Sequence, residues 1–229
     1  MRVPYKGPMN WLLATTNPHK LAELRAILGD LAASWDTLAT LDPALAEALV
    51  DPVEDADTFE GNALLKARGY ARQTGRTVVA EDSGLEVDAL GGRPGVRSAR
   101  YSGARGSRAE VDPANNARLL EELAGVPLEE RTARYVCVIA VAQPGPDPAS
   151  LDPGAFTVRG AFEGRILLPG EASDPARPAA GRGAHGFGYD PLFVPAGGGL
   201  TAAELPPEEK NRRSHRAAAA RLLRDRLGS

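Results

Sequence analysis

The residues of this chain that could do chemistry fall into five short stretches. Glu54, Asp55 and Asp57 form one acidic group, and Glu81-Asp82 form another. Mg²⁺ takes one or two protein carboxylates and keeps its other positions for water and substrate phosphates, so such acids suit a metal-assisted reaction on a polyphosphate. An acidic pair also serves as a turn or helix cap. The sequel Asp82-Ser83-Gly84 favours the chemical reading, because small residues leave room for a phosphate chain and its metal. Thr15-Thr16-Asn17-Pro18-His19-Lys20 stands between an apolar run and a helical pattern. Amides at a helix N-terminus attract anions and Lys20 adds a point charge. An ordinary cap by Asn17 or Thr16, with Lys20 in solvent, fits the same residues. The glycines of a P-loop are missing. Phe187-Gly188-Tyr189-Asp190-Pro191, after Gly186, sets small residues among aromatics, which lets a flat ring approach the backbone or packs as an aromatic turn. In the last stretch, Glu208-Glu209-Lys210 precedes Ser214-His215-Arg216. Lys210 and Ser214 can share a helix face. His215 and Arg216 offer donors to a carbonyl-rich base or a phosphate, or they belong to a solvated charged face.

These residues need elements to position them. Trp11–Thr15 reads as a strand, stopped by Thr16-Asn17-Pro18. The helical spacing of Leu21, Leu24, Ile27 and Leu28 follows, with Pro18 in its first turn and Gly29 past its end. Leu38–Leu49 has no clear period. A second helix is expected over Phe59–Gln73, after Asp57-Thr58 and closed by Gly75. Thr77–Glu81 reads as a strand ending on its acids, where side chains of α/β enzymes commonly face a crevice; Leu85–Ala89 alternates separately. Asp112–Leu123 is helical, and Arg131–Ala142 is the strongest strand. Pro144–Pro153 reads as a hairpin tip, Phe156–Leu168 as one or two strands, and Gly170–Gly186 as a mobile surface loop without periodicity. Glu208–Leu227 reads as one terminal helix with Ala217, Ala220, Leu223 and Leu227 on its apolar stripe. The mixture argues α/β or α+β.

Composition narrows the function classes. The 229 residues carry a formal net charge of −3, which gives no support to a nucleic-acid or membrane-surface partner. No apolar run approaches the roughly 20 residues of a membrane span. No targeting segment is visible, and the single cysteine, Cys137, precludes an intramolecular disulfide, so a reducing, cytoplasmic setting is expected. Within an apolar run, Cys137 reads as a buried, inert thiol. Met1–Asn10 is set aside as an N-terminal extension, leaving 11–229 as a single domain. Only four lysines occur, Lys6, Lys20, Lys66 and Lys210, in a chain that otherwise writes Arg. Outside the extension they mark positions where a compact ammonium is wanted.

The order of these stretches resembles the Ham1-type inosine/xanthosine triphosphate pyrophosphatases. The resemblance is carried by Leu13–Lys20, Thr58–Ala67, Ala80–Leu90, Gly95–Gly103, Gly186–Phe193 and Thr201–Arg216, and runs from about Trp11 to Leu227. It implies a two-lobed α/β fold with a long central mixed sheet, flanking helices and a cleft between lobes, and a homodimer. It further implies that Thr15, Thr16, Asn17, Pro18, His19 and Lys20 hold the triphosphate, with Lys66 a further phosphate contact. Glu54 and Asp82 would bind Mg²⁺, with Asp82 also the base or water-orienting group. Ser83 would contact substrate. Phe187, Gly188, Tyr189, Asp190, Lys210, His215 and Arg216 would line the nucleotide site. The chain departs from the family pattern in having Glu81 where an aspartate is common, Arg97 where an aromatic is common, and a longer, Pro/Ala-rich Gly170–His185.

The implied reaction is Mg²⁺-dependent hydrolysis between the α and β phosphates of non-standard purine nucleotides (dITP/ITP and XTP/dXTP), cleansing the nucleotide pool. Donors aimed at a 6-oxo group would reject adenine, since an unpaired buried donor costs roughly 1–3 kcal/mol. Two other readings stand beside it. A Maf-like pyrophosphatase acting on pyrimidine nucleotides would lack Ser214-His215-Arg216. A nucleotide sensor without catalysis would have lost the carboxylates.

Overall fold

The computed structural model describes residues 11–145 and 154–228. Its strands are β1 (Trp11–Ala14), β2 (Asp36–Thr37), β3 (Thr77–Val87), β4 (Thr132–Ala142), β5 (Phe156–Ile166) and β6 (Phe193–Pro195). Its helices are α1 (Pro18–Leu28), α2 (Pro43–Ala48), α3 (Phe59–Thr74), α4 (Arg108–Glu122), α5 (Pro207–Arg213) and α6 (His215–Leu227). One six-stranded sheet forms in the order β2-β1-β3-β4-β5-β6. It is mixed: β1 runs parallel to β2 and β3, whereas β5 and β6 are antiparallel. This is the α/β fold with a mixed sheet and helices that the sequence leads one to expect.

The chain divides into two compact units. The first comprises the described residues of Met1–Asp82, Cys137–Gly160 and Arg216–Ser229. Its core gathers Leu13, Leu24, Leu28, Val79, Cys137, Ile139 and Leu223 around the stacked rings of Trp11 and Trp35, whose centroids are 4.9 Å apart. The second comprises Ser83–Val136 and Ala161–His215. There Leu85, Val87, Leu119, Leu123, Ile166 and Phe193 are buried together. Arg131 is buried beside them, its guanidinium donating to the carbonyls of Leu123, Val126 and Leu167.

Local chemistry sets the helix ends. Asn17 caps α1, accepting from the amides of His19 and Lys20 at 3.0 and 3.4 Å, and Gly29 ends it. Thr58 caps α3, and Gly75 closes it in the left-handed conformation.

Four expectations need correction. The acids Glu81-Asp82 do not end a strand; β3 continues through them to Val87. In the second unit Gly84 explains why: a Cβ there would lie 2.4 Å from Ser98 Oγ, and the next amide, Leu85 N–H, donates to that hydroxyl at 2.9 Å. A tertiary contact overrides the turn-like local sequence. Helix α4 starts at Arg108 rather than Asp112, because Ser107 and Glu110 form a capping box and Pro113 is carried inside the helix. The terminal helix is two helices: Ser214 still bonds its N–H to the Lys210 carbonyl as a helical residue would, but its ψ of 164° is extended, so α5 ends there and α6 starts afresh at His215. The Gly170–Gly186 stretch is tied to its own unit, with amide bonds from Arg182 to the Pro191 carbonyl and from Ala184 and His185 to the Ala203 carbonyl. Most of the Pro144–Pro153 tip lies outside the described residues.

Candidate active site

In the first unit, β3 brings the two adjacent acids into different surroundings. Successive side chains of a strand point to opposite faces. Glu81 is buried, whereas Asp82 is partly exposed. Glu81 Oε1 stands 2.8 Å from Lys20 Nζ, and its Oε2 stands 3.5 Å from Arg216 Nε and accepts from Cys137 Sγ at 3.2 Å. Burial alone would push this carboxyl's pKa up, but Lys20, Arg216 and Lys66 outweigh it and hold the group well below the usual carboxylate range. Arg216 is itself buried and pairs with Glu23 at 2.7 Å. Its pKa is raised: burial works against its charge and the carboxylates of Glu81 and Glu23 more than compensate.

Lys66, on α3, donates to Glu54 Oε2 at 2.8 Å and to the Glu81 carbonyl at 3.1 Å. Asp82 feels Lys20, Lys66, Glu54 and Glu81. Burial, helped by the charges of Glu54 and Glu81, pushes its pKa above the ordinary 3.8 against the pull of the two lysines. Asn17 N–H donates to Thr15 Oγ1 at 3.2 Å, while Thr16, Pro18 and His19 are exposed beside it. Asn17 is the cap, and Lys20 is not in solvent but turned onto Glu81. An ammonium has three N–H donors, and the Glu81 contact uses one of them.

Glu54 and Asp82 are the carboxylates that could hold a divalent cation. Among the described residues no three His, Cys, Asp or Glu side chains form a ready chelating cluster. Hard oxygen donors within reach of two lysines suit a cation that arrives with substrate phosphates, as Mg²⁺ does with one or two protein carboxylates. The residues present fit that group.

The second unit holds the aromatic stretch. Asp190 Oδ2 accepts from Lys210 Nζ at 2.7 Å and from Phe187 N–H at 2.8 Å, and both members of the ion pair are buried. Gly186 makes this possible: at its φ of +78°, an added Cβ would stand 2.0 Å from Asp190 Oδ2. Gly188 N–H donates to Asp112 Oδ2 at 2.8 Å. The Phe187 ring has Lys210 Nζ 5.2 Å and Arg108 Cζ 5.1 Å from its centroid, within cation–π range. Tyr189 is buried, and its hydroxyl donates to the Ser98 carbonyl at 2.9 Å. Burial pushes its pKa well up, so it stays a neutral donor. His215 is buried and stacked on Tyr135, centroids 5.0 Å apart. Ser83, half-buried, follows Asp82 directly.

Of the residues expected from sequence, the first unit thus gathers Lys20, Glu54, Lys66, Asp82 and Arg216, and the second gathers Phe187, Asp190 and Lys210. Arg216 faces carboxylates of its own unit. Sequence reasoning missed Glu23, although its spacing of three from Lys20 on α1 places both on one helix face. It also missed Arg108 and Asp112 on α4, which carry no local signal connecting them with Phe187. Cys137 is the buried thiol expected; burial first, then the Glu81 charge, pushes its pKa well up.

A family model described as the Ham1 family matches residues 11–226. The chain is 45% identical over 218 residues to a dITP/XTP pyrophosphatase of Pseudomonas aeruginosa, covering 95% of this chain and 96% of that protein. It is 47% identical over 219 residues to a dITP/XTP pyrophosphatase of Geobacter sulfurreducens, with the same coverage of each. A solved HAM1 protein from Coxiella burnetii superposes with a TM-score of 0.77 at 35% identity, over 96% of this chain and 99% of that one. With the mixed sheet, Lys20 in the first turn of α1 and the acids of β3 all falling inside the matched span, this chain belongs to the Ham1 family.

Proposed function

We propose that this chain hydrolyses non-standard purine nucleoside triphosphates, dITP/ITP and XTP/dXTP, to the monophosphate and pyrophosphate with Mg²⁺. The pyrophosphatase relatives at 45% and 47% identity support the substrate class and reaction. The observation that carries the chemistry is the grouping of Lys20, Lys66, Glu54 and Asp82 around β3, with the Asp82 carboxyl raised by burial. Bound Mg²⁺ would neutralise phosphate charge and polarise the attacked phosphorus, with Glu54 and Asp82 as its protein ligands.

The chain's own groups do the rest. Lys20, braced by Glu81, and Lys66, braced by Glu54, bind the phosphate oxygens. Asp82 orients a water at the α-phosphorus and takes its proton; the bond from that phosphorus to the bridging oxygen breaks, and pyrophosphate leaves with the electron pair. Lys20 stabilises the charge that develops on it. Thr15, Thr16 and the α1 amides complete the phosphate loop, and Ser83 contacts substrate. Phe187 provides a flat face for the base. Lys210 and His215 supply donors that a 6-oxo purine satisfies and adenine does not. Arg216 acts through Glu81. The reading includes a cytoplasmic homodimer, for which light scattering should give twice the chain mass; the mass of one chain would refute it.

The test is pyrophosphate release from dITP, XTP, dATP and dGTP with Mg²⁺, by the intact chain and by Asp82→Asn. Hydrolysis of dITP and XTP, lost by at least about a hundredfold in the variant, is expected for removal of a general base. Binding of dITP without hydrolysis would replace the enzyme by a nucleotide sensor. Equal turnover of all four would overturn the specificity argument.

A further inference from the structure

The segment from Val50 to Ala56 has no regular structure, yet it is fixed along α3 at five places. Gln73 both accepts from Val50 N–H at 2.8 Å and donates to the Val50 carbonyl at 2.9 Å. The Tyr70 hydroxyl donates to Asp51 Oδ1 at 2.5 Å. Pro52 sits on Gly69, where an added Cβ would be 2.5 Å from Pro52 Cγ. Ala56 sits on Gly61, where an added Cβ would be 2.5 Å from Ala56 Cβ. The Ala56 N–H donates to the buried Asn62 Oδ1 at 2.9 Å. As the segment advances from 50 to 56, its partners on α3 retreat from 73 to 61, so it runs antiparallel to the helix. Glu54 lies in its middle and reaches Lys66, which stands between the two glycine notches. The segment's other side is open, with Val50 and Val53 exposed.

We propose that this seated segment positions Glu54, and that Gly69, Tyr70 and Gln73 are the positioning residues that set where its carboxylate stands against Lys66. A Glu on an unanchored loop would be spread over many positions, and a ligand's supporting contacts contribute to metal affinity without touching the metal. The glycines follow from the same argument. Gly is a poor helix residue, and two of them on the face that receives the segment lower helix propensity in exchange for close approach of another backbone. The inference rests on the metal role given to Glu54 above.

Gly69→Ala separates positioning from plain stability. The substitution improves helix propensity, so a structural role for α3 alone predicts a chain at least as stable and equally active. Positioning predicts that Pro52 is pushed off and Glu54 moves with it. Gln73→Ala, at an exposed site, is the second variant. Two measurements are compared with the intact chain. One is hydrogen exchange of the Val50 and Ala56 amides in metal-free protein; the other is Mg²⁺ titration of dITP hydrolysis. Faster exchange is expected at Ala56 in Gly69→Ala and at Val50 in Gln73→Ala. The half-saturating Mg²⁺ concentration should rise about tenfold or more, as for loss of a ligand's support, with kcat at saturating Mg²⁺ close to that of the intact chain. Unchanged exchange in both variants would show that these residues do not hold the segment. Freed amides with an unchanged Mg²⁺ requirement would show that the seating does not place Glu54. Either result overturns the proposal. Glu54→Gln should raise the Mg²⁺ requirement at least as far. If it does not, the metal role of Glu54 fails, while the exchange readout still decides the seating. Absence of hydrolysis by the intact chain sinks the proposed function and leaves that readout untouched.

Discussion

Asn17 has two duties that substitution can separate. Its side chain caps α1, and it ends the loop that leads into the helical turn of Lys20. Asn17→Ala should cost about 1 kcal/mol of stability, as lost caps do. Asn17→Asp keeps an equally good cap but adds a negative charge where phosphates are to bind. Unfolding midpoints unchanged from the parent, together with a raised KM for dITP, are expected; an unchanged KM would remove the loop from the substrate site. Glu81 gives a prediction in pH. Its pKa in the folded chain lies below the ordinary 4.5, so its charge stabilises the fold fully above that value, and the gain drains away as pH falls beneath it. Glu81→Gln should flatten the acid limb of the stability profile. At neutral pH it should cost about 3 kcal/mol, the low end for breaking a buried pair, because Arg216 keeps Glu23. Denaturant midpoints measured from pH 3 to pH 7 check both statements. The types of these residues were legible in the sequence: Lys20 and Asp82 announce charge and metal chemistry. Their division of labour was not. Nothing local tells that Glu81 turns inward to a lysine from α1 and an arginine from the far end of the chain, while its neighbour stays partly exposed.

At the scale of elements, α1, α3, β4 and β5 could be read from periodicity and capping residues, because their signals are local. The start of α4 was missed although its signal, the Ser107–Glu110 capping box, is local; the strand error at Glu81-Asp82 occurs where a distant partner decides. Continuation of β3 through Glu81-Asp82-Ser83-Gly84 depends on the Ser98 hydroxyl, whereas the break at Ser214 falls on a residue type that favours helix ends. The turn around Phe187 shows the same dependence. Its shape rests on Gly186, whose missing side chain leaves room for the Asp190 carboxylate that holds Lys210 and the Phe187 amide. Gly186→Ala is strained by its φ and collides with that carboxylate, so the buried pair should come apart. KM for dITP should rise by at least about tenfold, the effect of one unsatisfied buried group, while the Mg²⁺ requirement set in the other unit stays as it was. A shift in both constants would mean that the substitution unfolds more than the turn.

At the scale of the molecule, neither unit is a continuous length of chain. The divisions fall after Asp82, Val136, Gly160 and His215, and the first three lie inside β3, β4 and β5. Neither unit can be removed by truncating an end without cutting sheet strands, so one cooperative transition is expected. The two tryptophans, Trp11 and Trp35, are both in the first unit, and their fluorescence reports on it alone, whereas far-UV circular dichroism reports on the whole chain. The two guanidinium curves should coincide; a tryptophan transition displaced from the dichroism transition would show that the units unfold separately. The interior position of Cys137 has a practical side as well. As the chain's one thiol, sealed against Glu81 with its thiolate disfavoured, it resists alkylating reagents while the protein is folded. A cysteine introduced at exposed Val53 would then be the sole reactive handle, and a single fluorophore could be hung beside Glu54 without first stripping the native sulfur from the sheet.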